Sequence, residues 1–203
     1  MEKRIYLASR SPRRRELLKQ IGVNFELLLL REDPRRGGDI DETPLAGEAA
    51  DAYALRVARA KAGAAVRHVA QRGLPFHPVL AADTTVVLDE LILGKPADAP
   101  QAIRMLKALS GRGHRVITAV AIAARERVET RLSVSTVQFR ELADAEIRRY
   151  IASGEPFDKA GGYAIQGRAA AFVTRIEGSY SGIMGLPLAE TAELLHKFDI
   201  EIL

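Results

Sequence analysis

The 203-residue chain contains no cysteine. That excludes a disulfide framework and thiolate chemistry, and a reducing cytoplasm fits the absence. Aromatic residues make up only 5% of the chain, which is poor for a surface that stacks bases, so no stable nucleic-acid partner is expected. No apolar run is long enough to cross a membrane. No signal-peptide core follows the basic patch at the N-terminus. The four histidines show no metal-ligand spacing. A Walker A loop, a G-x-G-x-x-G turn and a serine nucleophile elbow are all missing.

What is present points another way. An apolar content of 47% over this length suits one ample α/β domain, or two small lobes sharing a sheet. The formal net charge is +4, and 23 of the 30 basic residues are arginine. Arginine suits bidentate contacts to phosphate, although an Arg- and Ala-rich chain equally reflects codon bias. The charges are spread along the chain and mixed with acids, so they hint at an anionic ligand and little more.

The periodicity predicts a strand over 4–8, a helix over 12–21 and a strand over 25–30. Residues 31–44, REDPRRGGDIDETP, read as a long polar loop. Thr43-Pro44 opens an Ala-rich helix to about Val69. Strands follow over 79–87 and 91–93, then a helix from the Asp98 cap to Leu109. Arg115–Ala123 and Val128–Phe139 read as antiparallel neighbours. A helix over 144–151, a Gly-rich stretch over 155–168, a strand over 171–176 and a last helix over 188–198 complete the chain. Strands and helices mix without strict alternation, so the expected fold is α/β: a mixed twisted sheet with helices on both sides.

Several charged residues sit where local rules disfavour them. In YLASRSPRRRELLKQIGV, Ser11 is a good N-cap and Pro12 suits the first helical position. Arg13, Arg14 and Arg15 then fall in the first turn, where the helix dipole favours anions. In LAADTTVVLDELILGKP, Asp83 lies inside an otherwise apolar strand, where a carboxylate needs a partner or a metal. A tight turn at Asp89-Glu90 makes opposed residues sum to about 179, which brings Lys95 near Asp83 at one end of a hairpin; the plain alternative is a strand-end salt bridge. DIDET supplies Asp39, Asp41 and Glu42, and an acidic loop alone is usually just solvated. Lys61 in ARAKA reads alone as a surface lysine. In GEPFDKAGGYAIQG, Asp158, Lys159 and Gln166 flank a glycine pair whose backbone can approach a phosphate. Together, clustered cations, isolated acids and Gly-rich loops suit water attacking a phosphate under metal assistance.

These segments, YLASRSPRR, ADTTVVLDELILGKPADAPQAIRMLKALSG, DKAGGYAIQG and YSGIMGLPLAETAELL, occur in the order found in the Maf family of nucleoside triphosphate pyrophosphatases. The chain resembles that family over essentially its whole length, residues 1–203 as one domain. The resemblance implies a fold similar to that of inosine triphosphate pyrophosphatases, two lobes around a cleft. It implies hydrolysis of nucleoside triphosphates to the monophosphate and pyrophosphate, with a divalent cation, Mg²⁺ or Mn²⁺, as cofactor. It also carries an association with septum formation.

Role by role, Ser9, Arg13 and Arg14 lie in the phosphate-gripping segment, and Asp83 matches the proposed proton acceptor. Thr84 matches a position tied to substrate choice, while Glu42, Lys61 and Lys95 match polar residues lining the cleft, and Lys95 is expected to join Asp83 in catalysis by holding phosphate or tuning Asp83. Lys159 adjoins the Gly-rich loop, and Gln166 matches a second base-selecting position. Glu42 and Asp83 are the expected metal ligands, with Asp83 as base the preferred role. The AGGYAIQG stretch favours the branch acting on dTTP and UTP, with CTP or modified pyrimidine nucleotides as related substrates and a homodimer admitted. Arg10 stands where a small or uncharged residue is more usual. The competing expectations are 7-methyl-GTP or a damaged purine triphosphate on the same fold, and a non-catalytic protein contacting nucleic acid or division proteins.

Overall fold

The computed structural model describes residues 4–30 and 39–202; the expected loop over 31–44 therefore lies partly outside the described residues. The strands are β1 (Ile5–Leu7), β2 (Phe25–Leu27), β3 (Val79–Leu88), β4 (Leu91–Leu93), β5 (Gly113–Ala124), β6 (Arg127–Phe139) and β7 (Val173–Glu177). The helices are α1 (Pro12–Gln20), α2 (Ala50–Gln71), α3 (Ala99–Leu109), α4 (Asp144–Ala152), α5 (Tyr180–Met184) and α6 (Leu188–Lys197). One mixed sheet runs β2-β1-β3-β5-β6-β7, with β4 paired to β3. β1 is parallel to β2 and to β3, and the remaining pairs are antiparallel.

Side chains alternate across β3, which decides what each face carries. Val79, Ala81 and Val87 pack with α2, whose Ala54, Ala58, Ala62 and Ala65 are fully buried. These small residues let the helix lie close on the sheet. On the opposite face, Leu80 and Ala82 join Leu17 and Leu18 of α1 and Leu194 and Leu195 of α6. Val86 and Leu88, further along that face, join Leu106 and Leu109 of α3 and Ile147 of α4. Thr84 sits at the seam between these two apolar clusters.

The expected hairpin forms with the expected register, Val86↔Leu93, Val87↔Ile92 and Leu88↔Leu91. Asp89 and Glu90 both take positive φ, as a two-residue hairpin turn requires. Their carboxylates are held by Arg112 and Arg115. Pairing stops at Leu93, however. β1 covers the same edge of β3 only at Val79 and Leu80, so residues 81–85 have no strand neighbour on that side among the described residues. A gap in the sheet opens there.

The Ala-rich helix begins at Ala50 rather than at Thr43-Pro44. Gly47 has φ +73, which turns the chain before the helix can start. Glu48 accepts from the Leu45 amide at 3.0 Å and from Arg56 at 2.6 and 2.8 Å, and Arg56 holds its carboxyl down at about 2. Arg56 also donates to the Thr43 carbonyl at 3.0 Å, and the Tyr53 hydroxyl donates to the Glu42 carbonyl at 2.9 Å. The segment is thus laid along the first turns of α2 and presents Glu42 to the sheet gap.

Candidate active site

A cleft of about 1070 Å³ occupies the gap beside β3, and all ten expected site residues line it. Its deepest charge is Asp83, on the α2 face of β3. Lys61 Nζ donates to Asp83 Oδ1 at 2.7 Å and lies 3.2 Å from Glu42 Oε1. The side chains of Lys61 and Asp83 are only 15% and 10% exposed. Lys61 is therefore no surface lysine: the two carboxylates converge on its ammonium. Burial, together with the negative charges of Asp83 and Glu42, pushes the neighbouring Tyr53 hydroxyl up to about 12.

The expected pairing of Asp83 with Lys95 does not form. The hairpin register would set Lys95 across from Thr84, whose side chain points to the opposite face of the strand from Asp83. The chain also leaves the sheet at Gly94, whose carbonyl accepts from the Gly161 amide at 3.0 Å. Lys95 is exposed in the cleft wall, with no ion-pair or hydrogen-bond partner for its side chain among the described residues.

The N-terminus of α1 forms a second wall. Ser11 caps the helix, accepting from the Arg14 amide at 3.5 Å. Ser9 Oγ accepts from the Ser11 amide and from Arg14 Nη1, each at 3.2 Å. Arg14 reaches across the cleft floor: its Nε donates to the Gly185 carbonyl at 2.7 Å and its Nη2 to Thr84 Oγ1 at 3.3 Å. Arg14 therefore braces helix, strand and loop together. Arg13 makes no side-chain hydrogen bond among the described residues and faces Asp158 electrostatically. Burial works against the Asp158 charge, but Lys159 and Arg13 hold its carboxyl below the usual range.

The Gly-rich loop closes the far side. Gly161 has φ +67, and a Cβ there would lie 2.9 Å from the Val86 side chain, so only glycine lets this loop dock on β3. Lys159 Nζ is tied to the Glu155 carbonyl at 2.8 Å and to the Asp158 carboxylate. The Tyr163 hydroxyl meets His114 Nε2 at 2.7 Å. Burial pushes His114 down to about 4, so it is neutral at neutral pH, and pushes the Tyr163 hydroxyl up. Gln166 is exposed at the cleft, and its amide has no hydrogen-bond partner among the described residues.

Four contributors escaped the sequence reading. Tyr53 gives no signal of its own inside the Ala-rich helix, though it anchors the Glu42 segment. His114 and Tyr163 carry no spacing signal, since 49 residues separate them. Thr118 interrupts the apolar run VITAVAIA as Asp83 interrupts its own strand, but threonine is a common strand residue and raised no flag.

Chemically, one wall offers cations to a multiply charged anion, while the floor offers one carboxylate oxygen, Asp83 Oδ2, without a hydrogen-bond partner among the described residues. A family model described as Maf-like protein matches residues 4–198. Among curated relatives, the dTTP/UTP pyrophosphatase of Aromatoleum aromaticum is 58% identical, covering 98% of this chain and 97% of its own. That of Nitrosomonas europaea is 56% identical, with 98% and 96% covered. That of Ralstonia nicotianae is 60% identical, with 94% and 92% covered. Among solved structures, the Staphylococcus aureus Ham1 protein aligns over 97% of both chains at 16% identity and a TM-score of 0.48.

Proposed function

The chain belongs to the Maf family, and we propose that it hydrolyses dTTP and UTP to the monophosphate and pyrophosphate, with residues 1–203 acting as one nucleotide pyrophosphatase domain. The observation that carries this reading is the pairing of a cation-lined wall with the buried Asp83 in one cleft, seen in a chain whose relatives bear that activity by name. Arg13, Lys95 and Lys159 surround the triphosphate and offset its charge as it enters. Ser9 and the first turn of α1 offer further donors to the same anion. Lys61 fixes Asp83 through Oδ1, so that Oδ2 is presented in one orientation. Asp83 takes the proton of a water that attacks the α-phosphorus, the α–β bond breaks, and pyrophosphate leaves with the β- and γ-phosphoryl groups.

The donor set also suits a divalent cation. Mg²⁺ typically takes one or two carboxylates and completes its shell with water and phosphate oxygens. Asp83 and Glu42 both meet the Lys61 ammonium, so an ion beside them would use the carboxylate oxygens that Lys61 leaves free, and no third carboxylate or histidine joins them among the described residues. These two would hold the ion, which when bound supplies charge neutralisation and polarises the phosphoryl oxygens.

Purified protein is expected to release pyrophosphate from dTTP and UTP with Mg²⁺ or Mn²⁺ present, and EDTA is expected to stop the release. Orthophosphate as the only product, or no turnover of any nucleotide, refutes the reading.

Base choice gives a finer test. The Gln166 amide carries both donors and an acceptor, so it can pair with the imide edge of uracil or thymine. An ionised glutamate only accepts. Gln166→Glu is therefore expected to lower kcat/KM for dTTP and UTP by about 1–3 kcal/mol. Measured beside 7-methyl-GTP, an unchanged ratio between the substrates means that Gln166 does not read the base.

A further inference from the structure

Glu155 is not part of the cleft lining, yet its carboxylate spans the neck of the Gly-rich loop. Oε1 accepts from the Tyr150 hydroxyl at 3.0 Å, and Oε2 accepts from the Arg168 amide at 3.1 Å. Arg168 stands 13 residues further along the chain, so one side chain ties the two ends of the loop together. Tyr150 is a firm anchor: only 4% exposed, it belongs to the apolar cluster of Leu106, Ile147 and Phe172. Burial, and then the Glu155 charge, push its hydroxyl up, so it keeps its proton and donates.

The loop leaves room for this carboxylate. A Cβ built on Gly167 would lie 2.6 Å from Glu155 Cδ and 2.7 Å from Oε2, closer than such atoms pack. The Gly167 backbone is extended, with φ −101 and ψ −156, so glycine is required there for space and not for conformation. Gln166, which lines the cleft, immediately precedes that contact. At the other end of the loop, the Glu155 carbonyl accepts from Lys159 Nζ at 2.8 Å, and Lys159 also lines the cleft. The Gly161 and Tyr163 contacts fix the middle of the loop. Lys159 and Gln166 flank that middle on the sides toward the neck.

We propose that Glu155 is a positioning residue of the nucleotide site: by closing the loop 156–167 against α4, it holds Lys159 and Gln166 in the cleft together. The proposal rests on the reading above that these two side chains meet the nucleotide. A loop with an untied neck samples more arrangements, and a ligand then bears the entropy of ordering it. With the neck tied, that entropy is lost on folding, and the ligand meets a formed wall. The plain alternative is a carboxylate that only stabilises the junction of α4 and the loop.

The test is calorimetric binding of the α,β-methylene analogue of UTP to the full chain, with pyrophosphate release from UTP followed in parallel. Glu155→Ala is expected to weaken binding of the analogue by about tenfold or more, the worth of one hydrogen bond to a charged group. KM for UTP should rise by a similar factor while kcat stays near wild type, because neither Lys159 nor Gln166 activates the attacking water. Glu155→Gln should stay close to wild type, since its oxygen can accept from the Arg168 amide and its NH₂ can donate to the Tyr150 hydroxyl oxygen. Gly167→Ala pushes the carboxylate off the loop and should weaken binding as Glu155→Ala does, and the double variant should bind no more weakly than either single one. A purely structural role would lower the melting temperature of Glu155→Ala and leave the affinity of the folded protein unchanged. That result, or losses that multiply in the double variant, overturns the proposal. If Glu155→Ala does not fold, Gly167→Ala decides, and an unchanged affinity there overturns the proposal. A wild-type protein that binds the analogue but releases no pyrophosphate refutes the hydrolase reading, and the affinity of Glu155→Ala still decides the role of Glu155.

Discussion

Asp83→Asn is expected to yield a folded protein that releases pyrophosphate about 10²–10⁴-fold more slowly, the usual contribution of a positioned general base. Asparagine has almost the volume of aspartate, and its carbonyl oxygen can still accept from Lys61, so the floor of the cleft keeps its shape. What it loses is a group able to take a proton from the attacking water. The alternative is that Asp83 only closes a salt bridge between β3 and α2. In that case the substitution would lower the melting temperature and leave the rate near wild type. Steady-state release of pyrophosphate, with circular dichroism as the folding control, separates the two. A rate constant within a few-fold of the wild-type value in a folded variant sinks the assignment of Asp83 as base.

Asp83 also marks how far the sequence could be read. The hairpin register followed from arithmetic alone, because a two-residue turn at Asp89-Glu90 leaves one pairing. The partner of Asp83 did not. Alternation along β3 puts Lys95 on the wrong side, and the true partner comes from a helix 22 residues earlier in the chain. Ala58, Ala62 and Ala65 read as helix formers around Lys61, but their small size also brings that helix close enough for Lys61 to reach the sheet. Contacts made by docking leave no local pattern. α5 was missed for a related reason. Its five residues include a glycine, and it depends on the Ser179 hydroxyl accepting from the Gly182 amide at 3.0 Å, a cap that looks like ordinary turn chemistry in SYSGIMG. By contrast α3, with its Asp98 cap and strongly one-sided apolar face, was legible to within a residue. The residues of the cleft were legible as separate anomalies: an acid in an apolar strand, three arginines at a helix start, a glycine pair beside Asp and Lys. That they share one cleft follows from the interrupted edge of β3, which no single segment encodes.

Lys61→Met is expected to lower both stability and rate, and the two losses should respond differently to metal. The ammonium lies between two carboxylates, one of them almost fully buried. Removing it leaves a buried charge without its partner, which typically costs about 3 kcal/mol or more. Glu42 is 43% exposed, so solvent relieves its share and the lower end of that range applies. For a chain of this length, about 3 kcal/mol corresponds to a fall in Tm of roughly 6–12 °C. The rate should fall as well, since Oδ1 of Asp83 is no longer fixed and the water-orienting geometry loosens. Methionine keeps the length of the stem and fills the same channel, so the change tests charge more than packing. With the ammonium gone, the point on which Asp83 and Glu42 converge is open to a divalent ion alone. A ligand that binds only the folded protein raises its stability with concentration, so added Mg²⁺ or Mn²⁺ should raise the Tm of Lys61→Met by more than that of the wild-type protein. Thermal melts across a metal titration measure this directly. If the metal lifts both proteins equally, the ion does not take the place that Lys61 holds between the two carboxylates. If Lys61→Met melts with the wild-type protein in EDTA, the ion pair contributes nothing to the fold, and Lys61 matters only for turnover.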